Sequence, residues 1–320
     1  MDVTVVIPNY NGIKYMESCL ESVYAGTVVP KVIVVDNGSC DGSLELAKEK
    51  YPRIEVIRFE ENKGFCTAVN AGIRAADTEY VILLNNDTTV DRYFTEKLEA
   101  AISKRKKAFS VSAKMLSMKE PDRIDGAGDL YCALGWAFSI GKGKEKEYCG
   151  KEAEIFASCA GAAIYKKAVF EIIGYFDENH FAYLEDIDIG YRAKIAGYHN
   201  YFAPDAVVCH AGSGVSGSRY NEFKVKLSSR NSVYLIYKNM PLMQIILNLL
   251  FLVPGFLIKF LFFMRKDLGK TYVMGLAEGL KLSFSESGRK KKVKFEMKNF
   301  GNYVKIQLEL WINIFRGIMG

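Results

Sequence analysis

Short apolar runs alternate with stretches of helical periodicity through the first hundred residues. Val3–Ile7 precedes the pattern Ile13–Tyr24, Val32–Val35 precedes Ser43–Lys50, Ile54–Phe59 precedes Phe65–Ala76, and Tyr80–Leu84 precedes Arg92–Lys104. Strands alternating with helices of this length predict βαβ units and a mostly parallel sheet. The four strand-like runs are nearly continuous Val, Ile and Leu, as expected where helices cover both faces of a sheet. In such a fold ligands bind beyond the carboxyl ends of the strands. Residues 109–165 are less regular, with Gly126, Gly128, Gly135, Gly141 and Gly143 among short strand-like pieces, and predict a loop-rich substrate lobe. Helices are expected at about Lys167–Ile173, Leu184–Ala196 and Phe223–Lys238, strands near Asn200–Phe202 and Ala206–His210, and a flexible loop at Gly212–Gly217.

The pattern changes after Pro241. Leu242–Met264 is apolar apart from Gln244, Asn248 and Lys259, and is flanked by Lys238 and by Arg265-Lys266. Its length would just span a hydrocarbon core of about 30 Å. Pro254-Gly255 in its middle predicts a kink or hairpin, favouring a re-entrant or in-plane segment over a true span. Farther on, Phe300, Tyr303, Val304, Leu308, Trp311, Phe315 and Ile318 recur at helical spacing on a segment that also carries Lys298, Lys305 and Arg316. Residues 1–240 therefore read as the body, and 241–320 as a helical membrane-associating region. An oligomer interface is the other reading of the same apolar helices.

The 320 residues, 49% hydrophobic and 25% charged, exclude a disordered or fibrous chain. Charge is unevenly placed. Residues 238–320 carry 14 basic and 5 acidic side chains, against 29 and 32 in residues 1–237, within an overall charge of +6. A mildly acidic body argues against nucleic-acid binding, and a basic tail points to an anionic membrane surface. Seven cysteines without a C-x-x-C pair are expected to be reduced thiols. Met1-Asp2-Val3-Thr4 has no basic n-region or cleavage site, so no signal peptide is expected and the chain is placed in the cytoplasm, at the inner face of the membrane.

Candidate chemistry gathers at the strand ends. The first strand runs into Pro8-Asn9-Tyr10-Asn11-Gly12 and the second into Asp36-Asn37-Gly38-Ser39. A carboxylate there can accept from a ribose hydroxyl or a pyrimidine imino N–H, and Tyr10 can stack on a base; Asp41 and Ser43 are expected to cap the next helix. The fourth strand runs into Asn85-Asn86-Asp87-Thr88. A carboxylate beside amide oxygens suits a hard divalent cation, and equally an Asx-rich turn. Glu185-Asp186-Ile187-Asp188 opens a helix whose dipole favours acids, with Arg192 one turn beyond Asp188 as its ion-pair partner. Three acids in four residues leave at least one for general-base work. His210, at a strand end, is a structural histidine or a metal ligand. Gly212-Ser213-Gly214-Val215-Ser216-Gly217 matches G-x-G-x-x-G but lacks the acid about 20 residues on, and no Walker A motif exists.

Together these stretches, with Asn62-Lys63-Gly64-Phe65, Asn70 and Gly174-Tyr175-Phe176-Asp177-Glu178, resemble the family 2 glycosyltransferases of the glycosyltransferase A fold, above all the bacterial rhamnosyl- and galactofuranosyltransferase-like members. The resemblance covers about residues 2–240. It implies an inverting transferase that takes a sugar from a dTDP- or UDP-linked donor to a glycan or lipid-linked acceptor with a divalent cation, Mg2+ or Mn2+. It would place Pro8, Tyr10, Asn11, Asp36, Gly64, Asn70, Asn85 and Asn86 at the donor, Asp87 and His210 on the metal, Asp186 as general base, and Gly161, Glu185 and Asp188 on the acceptor side. Asn85 departs from the usual Asp-x-Asp pattern. Two rivals remain: a glycoside hydrolase using Glu185 and Asp188 as paired carboxylates, and a non-catalytic nucleotide-sugar-binding scaffold.

Overall fold

The computed structural model describes residues 2–212 and 220–319; Ser213–Gly217 of the glycine-rich loop lie outside them. The predicted alternation is present: β1 (Val3–Asn9), α1 (Ile13–Tyr24), β2 (Lys31–Asn37), α2 (Ser43–Lys50), β3 (Glu55–Phe59), α3 (Phe65–Ala75) and β4 (Tyr80–Leu84). Next come β5 (Thr88–Val90), α4 (Phe94–Ser103), β6 (Ala108–Ser117), β7 (Ile124–Gly126), β8 (Asp129–Tyr131), β9 (Ala137–Ser139) and β10 (Ala153–Ile155). They are followed by β11 (Ala162–Lys166), α5 (Lys167–Ile173), α6 (Glu185–Ile195), β12 (His199–His210) and α7 (Glu222–Asn239). Four helices complete the described chain: α8 (Leu242–Met264), α9 (Gly269–Phe284), α10 (Glu286–Lys291) and α11 (Phe300–Met319).

The main sheet has the order β10-β12-β6-β11-β4-β1-β2-β3. β4, β1, β2 and β3 are mutually parallel, as are β6 and β12, while β11 is antiparallel to both neighbours. β1 and β4 are buried on both faces, one under α1 and α4 and the other under α3 and α5, which is why they read as unbroken apolar runs.

Three expectations change. The 109–165 stretch is not all lobe: residues 108–117 form a central strand. Its serines hid it in the sequence, yet Ser110 Oγ is spent on Ser158 and Asn200 at 2.8 Å each. The two strands expected at 200–210 are one strand, β12, whose register with β6 shifts between Ala203 and Val207. Pro204, which has no N–H for the ladder, sits in that bulge.

The third change concerns α8, which is one helix from Leu242 to Met264 with Pro254 inside it, not a hairpin. Its interruptions are its docking face: Gln244, Asn248, Leu252 and Gly255 are buried along one side. Asn248 and Gln307 exchange two amide hydrogen bonds of 3.0 and 2.7 Å, and Trp136 Nε1 donates to the Gly255 carbonyl at 3.0 Å. Gly255 is required there, since a Cβ would stand 2.2 Å from the Leu134 carbonyl oxygen. On α11 the buried face is Tyr303, Ile306, Leu310 and Asn313, about one residue out of phase with the predicted stripe, so Phe300, Val304, Leu308 and Phe315 are exposed. The Ile318 side chain lies outside the described part of the chain.

Candidate active site

The carboxyl ends of β1, β2 and β4 meet in one polar floor. Asn9, buried at the end of β1, donates to Asp36 Oδ1 at 2.9 Å, to Ser39 Oγ at 3.1 Å and to Ser43 Oγ at 2.8 Å, and its own Oδ1 accepts from Asn86 at 2.7 Å. Asp36 Oδ2 accepts the Ser39 N–H at 3.2 Å. Asp36 is fully buried at its strand end and Tyr10 is 38% exposed at the rim, with Pro8 half-buried behind it. Asn11 takes positive φ and accepts the Cys40 N–H. Asp41 binds the Ile13 N–H at the start of α1, as well as Ser43, so it ties two helices together rather than capping one. Gly64, at φ +87°, leads into α3; a Cβ there would stand 2.6 Å from the Phe181 ring.

Past β4, Asn85 is tethered through its N–H to the Gly161 carbonyl at 2.9 Å, while its side chain stays half-buried above Gly161. Asp87 Oδ1 lies 3.3 Å from His210 Nε2, and His210 Nδ1 is 2.7 Å from Asp125 Oδ2. Asp125 also holds Lys142 at 2.6 Å. Burial disfavours the His210 cation, but the hydrogen bonds to Asp125 and Asp87 outweigh it and lift the imidazole to about 9. Burial likewise opposes the Asp125 charge, yet His210 and Lys142 hold its carboxyl down at about 2. Asp125 carries no motif in the sequence and was missed there. A carboxylate behind a histidine, fixing which ring nitrogen faces outward, is the arrangement of a metal-binding histidine. The oxygen and nitrogen of Asp87 and His210 thus fit a divalent cation.

The acid cluster divides by burial. Asp188 is sealed: Arg192 (2.8 Å), Lys238 (2.8 Å) and Asn239 (2.8 Å) occupy its oxygens. Burial opposes its charge, but Arg192 and Lys238 hold its carboxyl well below the usual range. Lys238 also bridges to Asp177 at 2.7 Å. Asn70, similarly, exchanges two hydrogen bonds with the Phe176 backbone and is buried. Asp188 and Asn70 thus spend their polar atoms within the protein, and Asn86 spends its amide N–H on Asn9.

Of the three acids, Asp186 alone is not fully buried. Its Oδ1 accepts the Ala160 N–H at 3.0 Å. Burial, with the Glu185 and Asp129 charges adding, holds its carboxyl well above the ordinary range. Asp129, on the β8–β9 hairpin, brings a carboxylate oxygen within 4.8 Å of Asp186 and of the Cys159 thiol. Burial lifts Asp129 to about 7 against the Lys142 charge and the Ser139 hydroxyl, and lifts Glu185, whose Oε2 has no partner, also to about 7. Burial pushes the Cys159 thiol up as well, so it stays protonated. The turn into α6 is strained, with Phe181, Tyr183 and Leu184 all at positive φ. Asn231 on α7 holds it by donating to the carbonyls of His180, Ala182 and Tyr183 at 2.8 to 2.9 Å.

The site thus combines a polar floor at the ends of parallel strands, a carboxylate–histidine pair after the fourth strand and a helix that opens on acids. The profile described as "Glycosyl transferase family 2" matches residues 4–173, just over half of the chain. The chain belongs to glycosyl transferase family 2. This glycosyltransferase is 26% identical over 234 residues to the N-acetylglucosaminyl-diphospho-decaprenol L-rhamnosyltransferase of Mycobacterium tuberculosis, covering 64% of this chain and 75% of that one. It is 26% identical over 278 residues to the glycosyltransferase AglE of Haloferax volcanii, covering 84% and 86%. Among solved structures, GalNAc-T7 with UDP, GalNAc and Mn2+ superposes with a TM-score of 0.60 at 19% identity, over 74% of this chain and 48% of that chain. The glycosyltransferase A fold expected from the resemblance is therefore the fold of this chain.

Proposed function

We propose that this glycosyltransferase is metal-dependent and inverting, and moves a sugar of the rhamnosyl type from a dTDP- or UDP-linked donor to a lipid-linked or glycan acceptor at the cytoplasmic face of a membrane. The observation that carries the reading is the separation of roles between two acid sites. Asp87 is paired with His210 just past the end of β4, whereas Asp186, at the start of α6, is partly exposed with its proton affinity raised. The Asp36–Asn9–Ser39 floor supports nucleotide binding, with Asp36 accepting from the base or ribose and Tyr10 covering it. A divalent cation held by Asp87 and His210 would neutralise the diphosphate as it gains charge, so no leaving-group acid is needed.

Asp186 takes the proton of the acceptor hydroxyl while the hydroxyl oxygen bonds to the anomeric carbon and the diphosphate departs with the bonding pair. One such displacement inverts the centre. A base with a raised pKa is better matched to a hydroxyl than an ordinary carboxylate. The hydrolase reading loses its second carboxylate, since Asp188 is buried and paired. The names of the rhamnosyltransferase relative and the Mn2+-bound neighbour support donor class, acceptor class and cation. Residues 1–240 are taken as the catalytic part. Residues 241–320 are taken as the membrane-associating part, because α8 turns Leu242, Ile246, Leu250, Val253 and Leu257 outward. The test is transfer from dTDP-rhamnose and UDP-sugars to a polyprenyl-diphosphate-linked sugar: Asp186→Asn should lower turnover by about 10³-fold with donor affinity unchanged. Turnover without acceptor, or full activity in excess EDTA, refutes the reading.

A further inference from the structure

His210 has a carboxylate on each side of its ring. Nε2 lies 3.3 Å from Asp87 Oδ1, and Nδ1 lies 2.7 Å from Asp125 Oδ2. All three side chains are largely buried. By donor set alone the two sides are equivalent, since each offers a hard cation one imidazole nitrogen and one carboxylate oxygen. Lys142 breaks that symmetry. Its ammonium stands 2.6 Å from Asp125 Oδ1 and 3.4 Å from the Asp125 carbonyl oxygen, whereas among the described residues the only ion pair of Asp87 is the one with His210. The fold holds these groups in place from two directions. β7 and β12 both pair with the end of β6, Ile124 opposite Leu116 and His210 opposite Ser117, which sets Asp125 beside the histidine. Lys142 stands between Gly141 and Gly143, at φ +68° and +79°, in a tight turn that larger residues rarely form. The turn is tied to Ile124, next to Asp125: the Gly143 N–H donates to the Ile124 carbonyl at 2.7 Å, and the Ile124 N–H donates to the Lys144 carbonyl at 2.9 Å. Lys142 is thus set beside Asp125 by backbone, unlike a loose surface pair.

We propose that Asp125 and Lys142 are positioning residues that commit His210 to one metal side, a role that rests on the reading of Asp87 and His210 as the cation's holders. A carboxylate only accepts, so Asp125 keeps a proton on Nδ1 and leaves the Nε2 lone pair to the Asp87 side. The Lys142 ammonium repels a divalent cation from Asp125 and occupies the oxygen such an ion would need. The cation is thereby confined to Nε2 and Asp87, beside the polar floor that Asn86 shares with Asn9. Without Lys142, the Asp125 side becomes a competing place for the ion, away from that floor.

Mn2+ binding by the full chain, followed through the electron paramagnetic resonance signal of the free ion with no donor or acceptor present, reads this arrangement apart from activity. In the wild-type chain Asp87→Asn should weaken Mn2+ by about tenfold or more. In the Lys142→Met background the same change should cost less than about threefold, because Asp125 and Nδ1 then offer the ion a second side. Asp125→Asn should weaken Mn2+ by about 10- to 100-fold while His210 is present, and by less than about threefold in His210→Gln, since it acts through the ring. Circular dichroism checks the folding of each variant; Lys142 is half exposed, and Lys142→Gln repeats its arm without an apolar side chain. An Asp87→Asn loss that is the same with and without Lys142 overturns the proposal. So does an Asp125→Asn loss that survives His210→Gln, which makes Asp125 a remote charge or a direct ligand. A wild-type chain that binds no Mn2+, or binds it equally well as Asp87→Asn, refutes the reading of Asp87 and His210 themselves, and the proposal with it.

Discussion

Replacing Asp129 by asparagine removes one charge from beside Asp186 and keeps the shape. Their carboxylate oxygens lie within 4.8 Å. At an effective dielectric of about 20, two like charges at that distance repel by about 3 kcal/mol. Both residues are partly exposed, so solvent screening reduces this to about 1.5–3 kcal/mol, or about one to two pH units. The groups facing Asp186 are Glu185 on its own helix, Asp129 on the hairpin, and the Cys159 thiol and Tyr165 hydroxyl from the β11 side, with Lys142 acting on Asp129. None but Lys142 is cationic, so the net effect is to keep a proton on Asp186. Without the Asp129 charge, Asp186 ionises at lower pH.

The acid limb of kcat/KM should therefore move down by about one to two pH units in Asp129→Asn, while kcat at its plateau falls severalfold, because a weaker base accepts the proton less readily. Donor KM should not change. Stability gives a second readout. Carboxyls with raised folded-state pKa values contribute stability that is complete below their unfolded values near 4 and is lost as pH rises through about 7. The variant should show a shallower fall of melting temperature between pH 4 and 7. An acid limb that does not move would falsify the assignment of Asp129 as the group that tunes Asp186.

Lys238→Met leaves the Asp177 and Asp188 carboxylates buried without the cation between them, and should cost about 3–5 kcal/mol in urea unfolding; a loss under 1 kcal/mol would mean Arg192 suffices alone. Asn231→Ala removes three hydrogen bonds from the strained turn before α6 and should cost about 2–4 kcal/mol, lowering kcat more than donor affinity. Equal loss of both would argue for general loosening. The full chain should float with anionic vesicles at low salt and stay bound in part at high salt through α8, whereas removal of the charges at Arg289–Lys292 should weaken only the salt-sensitive part. A soluble chain indifferent to vesicles refutes the membrane assignment.

Local pattern determined much of this protein. The β1–α1 to β4 alternation, the helices α6 and α7 and the strand-end positions of Asp36, Asp87 and His210 were all legible, because periodicity and turn residues act over a few neighbours and the first strands are buried on both faces. The Asp188–Arg192 pair, one turn apart on a single helix, was legible for the same reason. The central strand at 108–117 was not, since its serines look exposed until Ser158 and Asn200 arrive opposite them. Nor was the division of labour among Glu185, Asp186 and Asp188. It depends on Lys238 from α7, Asp129 from a distant hairpin and the Ala160 N–H, and on how much water each carboxylate keeps. Gln244 and Asn248 looked like breaks in an apolar helix and turned out to be its inward face, because Tyr191 lies across from the first and Gln307 from the second. Asp125 became a partner of His210 only through folding, 85 residues away. Which face of a segment is buried, and what proton affinity a buried acid has, are sums over groups from other elements, and a one-dimensional pattern contains no such sum.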